Sequence, residues 1–273
     1  MAADAPELTL FMGPNSAHGL AINKVVKAIR KDLATTGLRL VPTRWASPMM
    51  RTIVSAKRDL AERRASFRAL TEDGPAFYCA LNFLGTPHSG ERRADLFVEA
   101  EDKFDGLAAA SDGAPFRVVL ALQPLPHFFC ASASDVLDTR VKATPWEQLY
   151  AMSWAELVMG LVDACPNAEV LVLRHESVAQ WSEEIFGDAA SADVRHALFR
   201  ALLTTTGQAV VDRMPEQPSD EAARELYASF AELPDALSIR ERLGLDRLTA
   251  KLLAQRFEED MAAIAMLDGV RVI

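Results

Sequence analysis

The chain is poor in the residues that would staple a fold or hold a metal. It has three cysteines, Cys79, Cys130 and Cys165, far apart and without a CxxC spacing. That excludes a disulfide framework and a thiolate zinc site, and the three read as reduced thiols. The histidines His18, His88, His127, His175 and His196 contain no HxxxH pair, so no metal site is expected. No stretch approaches the ~20 consecutive apolar residues of a membrane span. The apolar run at residues 8–12 follows no positive charge and is too short for a signal-peptide core, so the reading is a cytoplasmic chain with no membrane partner. Positive charge is also scarce: 29 Lys and Arg stand against 38 Asp and Glu, a net charge of −9. Such a field repels nucleic acid, and no nucleic-acid partner is expected. There is no GxSxG elbow, internal repeat or low-complexity segment.

Half of the residues are hydrophobic, enough to build the core of a single α/β domain over residues 1–273. Residues 8–12 are β-compatible and end at Gly13-Pro14; beyond them Ile22, Val25, Val26, Ile29 and Leu33 share a helical face. Ser47-Pro48 supplies an N-cap and a first-turn proline for a helix through residues 51–67, with Arg58, Glu62, Arg63 and Arg64 on its solvent side. Continuous apolar runs at 76–81, 116–122 and 168–174 read as buried strands, and 270–273 as a last one. A helix-like stretch covers 92–110. Thr144-Pro145-Trp146-Glu147 forms a capping box, after which Trp146, Tyr150 and Trp154 make an aromatic stripe that reads as core. Residues 178–257 are almost wholly helical, interrupted near Pro215, Pro218 and Pro234. The alternation predicts a three-layer α/β fold, a mostly parallel sheet with helices on both faces, capped by the helical region 178–265.

A strand that runs through a glycine turn into a helix can hold an anion, because the first-turn N–H groups are unpaired and lie at the positive end of the helix dipole. Residues 13–20, Gly-Pro-Asn-Ser-Ala-His-Gly-Leu, have that context. They lack the GK[ST] ending of a triphosphate loop, and an ordinary strand-to-helix turn would look the same. His18 and His127 are the histidines placed to face the crevice at the carboxyl ends of the strands, where either could donate to an anion or act as a base. The alternatives are a polar first-turn residue and a helix-start residue. Cys130, three residues after His127, reads as core packing.

The succession of the "GP" turn, "RVVLALQPLPHFFCAS", "TPWEQLYAMSWAELV", "PNAEVLVLRHESV" and "RFEEDMAAIAMLDGVRVI" resembles the bacterial sulfotransferase-like family over most of the chain. The resemblance implies a P-loop-type fold that binds 3′-phosphoadenosine 5′-phosphosulfate and passes its sulfuryl group in line to a hydroxyl or amine, mainly by positioning and charge neutralisation. It assigns the donor to Gly13, Pro14, Asn15, Ser16, Ala17 and Gly19 in the first loop, and to Gln123 and Ser132 at the 3′-phosphate. The family's loop reads like G-P-H-K-T-G-T-T; here Asn15, Ser16 and Ala17 stand at its histidine, lysine and threonine. Its arginine before the mid-chain proline is Gln123, its serine is Ala131 with Ser132 one step on, and its glutamate after the third strand is Leu81. Losing a lysine and an arginine, at roughly 1.5–3 kcal/mol for each charge-assisted bond, removes two to four decades of donor affinity. Cations able to return from elsewhere are Lys24, Lys27 and Arg30 on the first helix, Arg92 and Arg93, and Arg140 with Lys142.

The expectation is a sulfotransferase-like protein with a degenerate donor site, weak or inactive in transfer, holding a small anionic ligand in the same crevice. Two alternatives stand beside it: an active sulfotransferase acting on a sugar or lipid hydroxyl, and a non-enzymatic interaction module.

Overall fold

The computed structural model describes residues 7–13, 17–81, 83–85, 96–131, 141–174, 177, 180–187, 190–214, 218–231, 233–234 and 236–273. Six strands, β1 (Leu8–Phe11), β2 (Arg39–Leu40), β3 (Ala76–Cys79), β4 (Phe116–Ala121), β5 (Ala168–Leu173) and β6 (Val270–Val272), form one sheet in the order β2-β3-β1-β4-β5-β6. Every pairing is parallel. The central strands are apolar at nearly every position because both of their faces are covered. Leu8 and Leu10 of β1 and Val118 and Leu120 of β4 feed one core; Phe11, Val119 and Ala121 feed the other. Arg117 and Glu169 stand opposite each other in β4 and β5, and the arginine Nε donates to the carboxylate at 2.9 Å. That pair holds the register near the amino end of the sheet, where a one-residue slip would exchange the two cores.

Along the chain the helices are α1 (Ala17–Ala28), α2 (Arg30–Thr35), α3 (Thr43–Val54), α4 (Leu60–Ala69), α5 (Ala100–Ser111), α6 (Leu125–Ala131), α7 (Trp146–Ala151), α8 (Trp154–Ala164), α9 (Trp181–Phe186), α10 (Ala192–Ala201), α11 (Thr205–Val211), α12 (Asp220–Phe230), α13 (Ala236–Leu243) and α14 (Arg247–Ile264). One core joins the sheet to α3–α8, α13 and α14, and the other joins it to α1, α2 and α9–α12. The late helical block therefore divides between the two layers: α10 packs on α1, whereas α14 packs on α8.

Three predicted helices are broken. The face shared by residues 22–33 continues through Ile29, but α1 ends at Ala28 and α2 begins at Arg30. The helix expected over 51–67 is two. Pro42 occupies the N-cap of α3, which runs through Pro48 and stops at Val54; α4 starts after Asp59, whose carboxylate accepts from the Glu62 N–H at 2.8 Å. Pro48 withholds a hydrogen bond only from the Arg44 carbonyl, on a side of α3 where both residues are exposed and water can take that place. The third break follows α7. Pro145 sits at its N-cap, so the helix begins at Trp146, one residue later than the expected first-turn proline. Ser153 then caps α8, and Asp260 of α14 accepts from the Trp154 N–H at 2.8 Å and from the Ser153 hydroxyl at 2.7 Å. The aromatic stripe is split as a result: Trp154 is fully buried and Trp146 is 47% exposed.

Arg63, placed by periodicity on the solvent side, turns inward. It donates to the carbonyls of Ile53 and Gly106, each at 2.8 Å, and ties α4 to α3 and α5. Gly106 permits that approach, since a Cβ there would lie 2.7 Å from the Val54 backbone.

Candidate ligand-binding crevice

In an open parallel sheet, ligands bind outside the carboxyl ends of strands whose connections leave towards opposite faces. Here β1 leads into α1 on one face, while its neighbours β3 and β4 lead into α5 and α6 on the other. The crevice is thus set around the carboxyl end of β1, and its two sides differ in character.

On the β4 side, Phe11 stands opposite Val119, so Gly13 and Gln123 fall just past the ends of adjacent strands. Gly13 is buried, and a Cβ at that position would come within 2.6 Å of the Phe11 ring. Gln123 is 1% exposed, and neither its Oε1 nor its Nε2 has a hydrogen-bond partner. Its carbonyl is engaged, accepting from the Trp154 Nε1–H at 3.0 Å. Among the other sequence-predicted residues, Ala17 and His18 lie in the first turn of α1, whose side chains are outside the described set, and Gly19 is buried in the same helix. Pro14, Asn15, Ser16 and Ser132 lie outside the described residues, as do His88, His175, Arg92, Arg93 and Arg140. His127 is half-buried on α6, and Cys130 of the same helix is buried in the core.

On the β3 side, a cavity of about 490 Å³ opens between α1 and α3. Helix α1 contributes Asn23 and Lys27, α3 contributes Ser47 and Arg51, and β3 supplies Tyr78 and Cys79 at its end. Among the described lining residues there is no carboxylate. Lys103 of α5 also reaches the cavity but is held by Glu99 at 2.8 Å. Among the described residues Lys27 and Arg51 make no ion pair. The Tyr78 hydroxyl lies 3.1 Å from the Ser47 hydroxyl, and burial raises the phenol above its ordinary value despite that contact and the nearby Arg51. Burial likewise pushes the Cys79 thiol up to about 12 against the pull of Lys27. At neutral pH the phenol remains a donor and the thiol is not a nucleophile. The arrangement can hold an anion, but its described residues supply no general base.

Of these residues, the sequence pointed only Lys27 at the crevice, as a cation able to return to it; Ser47 read as an N-cap and Cys79 as a reduced thiol. Ser47, Arg51 and Tyr78 come from two other segments, and the available signal was the i,i+4 pairing of a neutral polar residue with a cation, Asn23 with Lys27 and Ser47 with Arg51. A second cavity of about 490 Å³, between α5 and α8, has the opposite sign: Glu101, Asp105, Glu156 and Asp163 line it. Among the described residues no cluster of three or more His, Cys, Asp or Glu could hold a metal, and no helix is long and apolar enough to cross a membrane.

No family model, curated protein or solved structure matches the chain. The class that its own fold defines is a three-layer α/β protein with an all-parallel six-stranded sheet. On the β4 side the described residues present a buried neutral amide, Gln123, and no lysine or arginine occurs between Gly13 and Asn23.

Proposed function

We propose that the chain is a sulfotransferase-like α/β protein with a degenerate donor site, which holds a small anionic molecule at the carboxyl edge of its sheet and transfers sulfuryl groups weakly or not at all. Gln123 carries this reading: where the resemblance requires an arginine, a neutral side chain is 1% exposed with neither polar atom bonded. A 3′-phosphate needs charge-assisted donors, each worth roughly 1.5–3 kcal/mol, and a buried amide brings no charge.

A second reading, an active transferase with relocated cations, is favoured by Lys27 and Arg51, which reach the neighbouring cavity without carboxylate partners. Thermal denaturation with and without 3′-phosphoadenosine 5′-phosphate separates the two. A ligand at a hundred times its Kd stabilises a protein by about 2.7 kcal/mol, which at this size raises Tm by roughly 5–10 °C. The degenerate site predicts no such shift with nucleotide below roughly 100 μM; a rise of that size would establish the second reading instead.

A further inference from the structure

We propose that the cavity between α1 and α3 binds a small amphipathic anion, a free acid with one anionic head on a compact apolar body. This deepens the crevice reading above. It rests on that reading's claim that an anion is held at the sheet edge, and on nothing about the nucleotide.

The charge pattern identifies the head. Two helices on opposite faces of the sheet each present a neutral polar group and a cation one turn apart, Asn23 with Lys27 and Ser47 with Arg51. With Lys103 already neutralised by Glu99, two positive charges remain uncompensated at one cavity in a protein of net charge −9. An anionic head would take charge-assisted hydrogen bonds from these cations. The paired hydroxyls of Ser47 and Tyr78, 3.1 Å apart, add neutral donors beside them.

The cavity floor identifies the body. Met50, Tyr78, Ala80 and Phe83 line the cavity and are buried in the core beneath it, so they offer apolar surface and no further charge. The volume, about 490 Å³, falls within the roughly 300–1,000 Å³ typical of small-molecule sites. A bare inorganic anion would leave that floor uncovered, and a neutral amphiphile would leave the cations unanswered. Recognition therefore needs both parts in one ligand.

Calorimetric titration of the full chain with decanoate, decanamide and inorganic sulfate tests this directly. Decanoate is expected to bind at one site per chain, with affinity falling as salt is added, and the other two at least tenfold more weakly. Lys27→Gln and Arg51→Gln should each weaken decanoate about tenfold, the loss of one charge-assisted bond. Lys24→Gln, an exposed cation on the same helix outside the cavity, should leave it unchanged. Urea midpoints of all three variants report that they are folded. Decanamide binding as tightly as decanoate, both cavity variants binding like the wild type, or no decanoate binding at all would each overturn the proposal. If decanoate fails while 3′-phosphoadenosine 5′-phosphate binds at micromolar concentration, the degenerate-donor reading falls with it. If both fail, only this inference does.

Discussion

At the carboxyl end of β4 a polar side chain is buried with nothing to bond, while at the carboxyl end of β3 two cations stand exposed with no carboxylate to answer them. Only β1 separates these strands. The two sites leave electrostatics incomplete in different ways. The Gln123 amide has given up water and received no hydrogen bond, a cost of about 1–3 kcal/mol borne by the folded state. Lys27 and Arg51 keep their water, so their uncompensated charge costs the fold little and remains available to a ligand. A buried orphan lowers stability without offering recognition; an exposed pair of cations offers recognition almost free of stability cost.

The contrast extends to what stands behind each side. The Gln123 carbonyl accepts from the Trp154 indole, and Asp260 accepts the Trp154 N–H at the start of α8, which Ser153 caps. Asp260→Ala should therefore have the largest effect, a loss of about 3 kcal/mol in urea unfolding, because it strands the Trp154 N–H and the Ser153 hydroxyl in the core. Binding in the β3-side cavity should persist wherever the variant is folded; its loss there would mean that the two sides are coupled.

The same carboxyl has a pH signature. Burial raises it above the ordinary carboxylate value, outweighing the bonds from Ser153 and Trp154 and the Arg256 guanidinium. Between the unfolded value, near 3.8, and the raised folded value, the native state holds more protons than the unfolded one. Its contribution is thus full below the unfolded value and is lost as pH rises through the folded one. Asp260→Asn should remove that slope from a stability profile over acidic pH, and an unchanged slope would reassign it.

Gly106→Ala comes next. The added methyl would press on the Val54 backbone, so α5 should back away from α3 at a cost of about 2 kcal/mol, loosening the cavity side while leaving Gln123 in place. Gln123→Met, close in shape and free of unbonded polar atoms, should raise stability by about 1 kcal/mol; a fall would show that the amide has a role that its surroundings do not reveal. Lys27→Gln and Arg51→Gln should be smallest, within about 0.5 kcal/mol. A larger loss in either would mean that the cation supports the fold and is not held in reserve for a ligand.

The layers were legible in the sequence because a parallel sheet covered on both faces demands apolar strands, and residues 8–12, 76–81, 116–122 and 168–174 supply them, while Val270–Val272 is an edge strand with Arg271 exposed. The two-residue β2 was not, since Arg39 and Leu40 carry no pattern of their own and pair with β3 through its Ala76 and Phe77. Helix breaks were hidden for a similar reason: hydrophobic spacing runs on across Ile29 and Met152, and the bonds made at the break between α7 and α8 go to the carboxylate of Asp260, more than a hundred residues downstream. Gln123 could be singled out by position in a resemblance. Its burial could not, and the cavity beside it draws on three segments that only the sheet brings together.

The sharpest test of the difference between the two sides is one calorimetric titration with 3′-phosphoadenosine 5′-phosphate. The proposed degenerate site, with Gln123 where the resemblance implies an arginine and no basic residue in the first loop, predicts no saturable heat below roughly 100 μM ligand, the consequence of losing two to four decades of affinity. A Kd in the low micromolar range would contradict it, and would mean that cations from another segment reach the nucleotide.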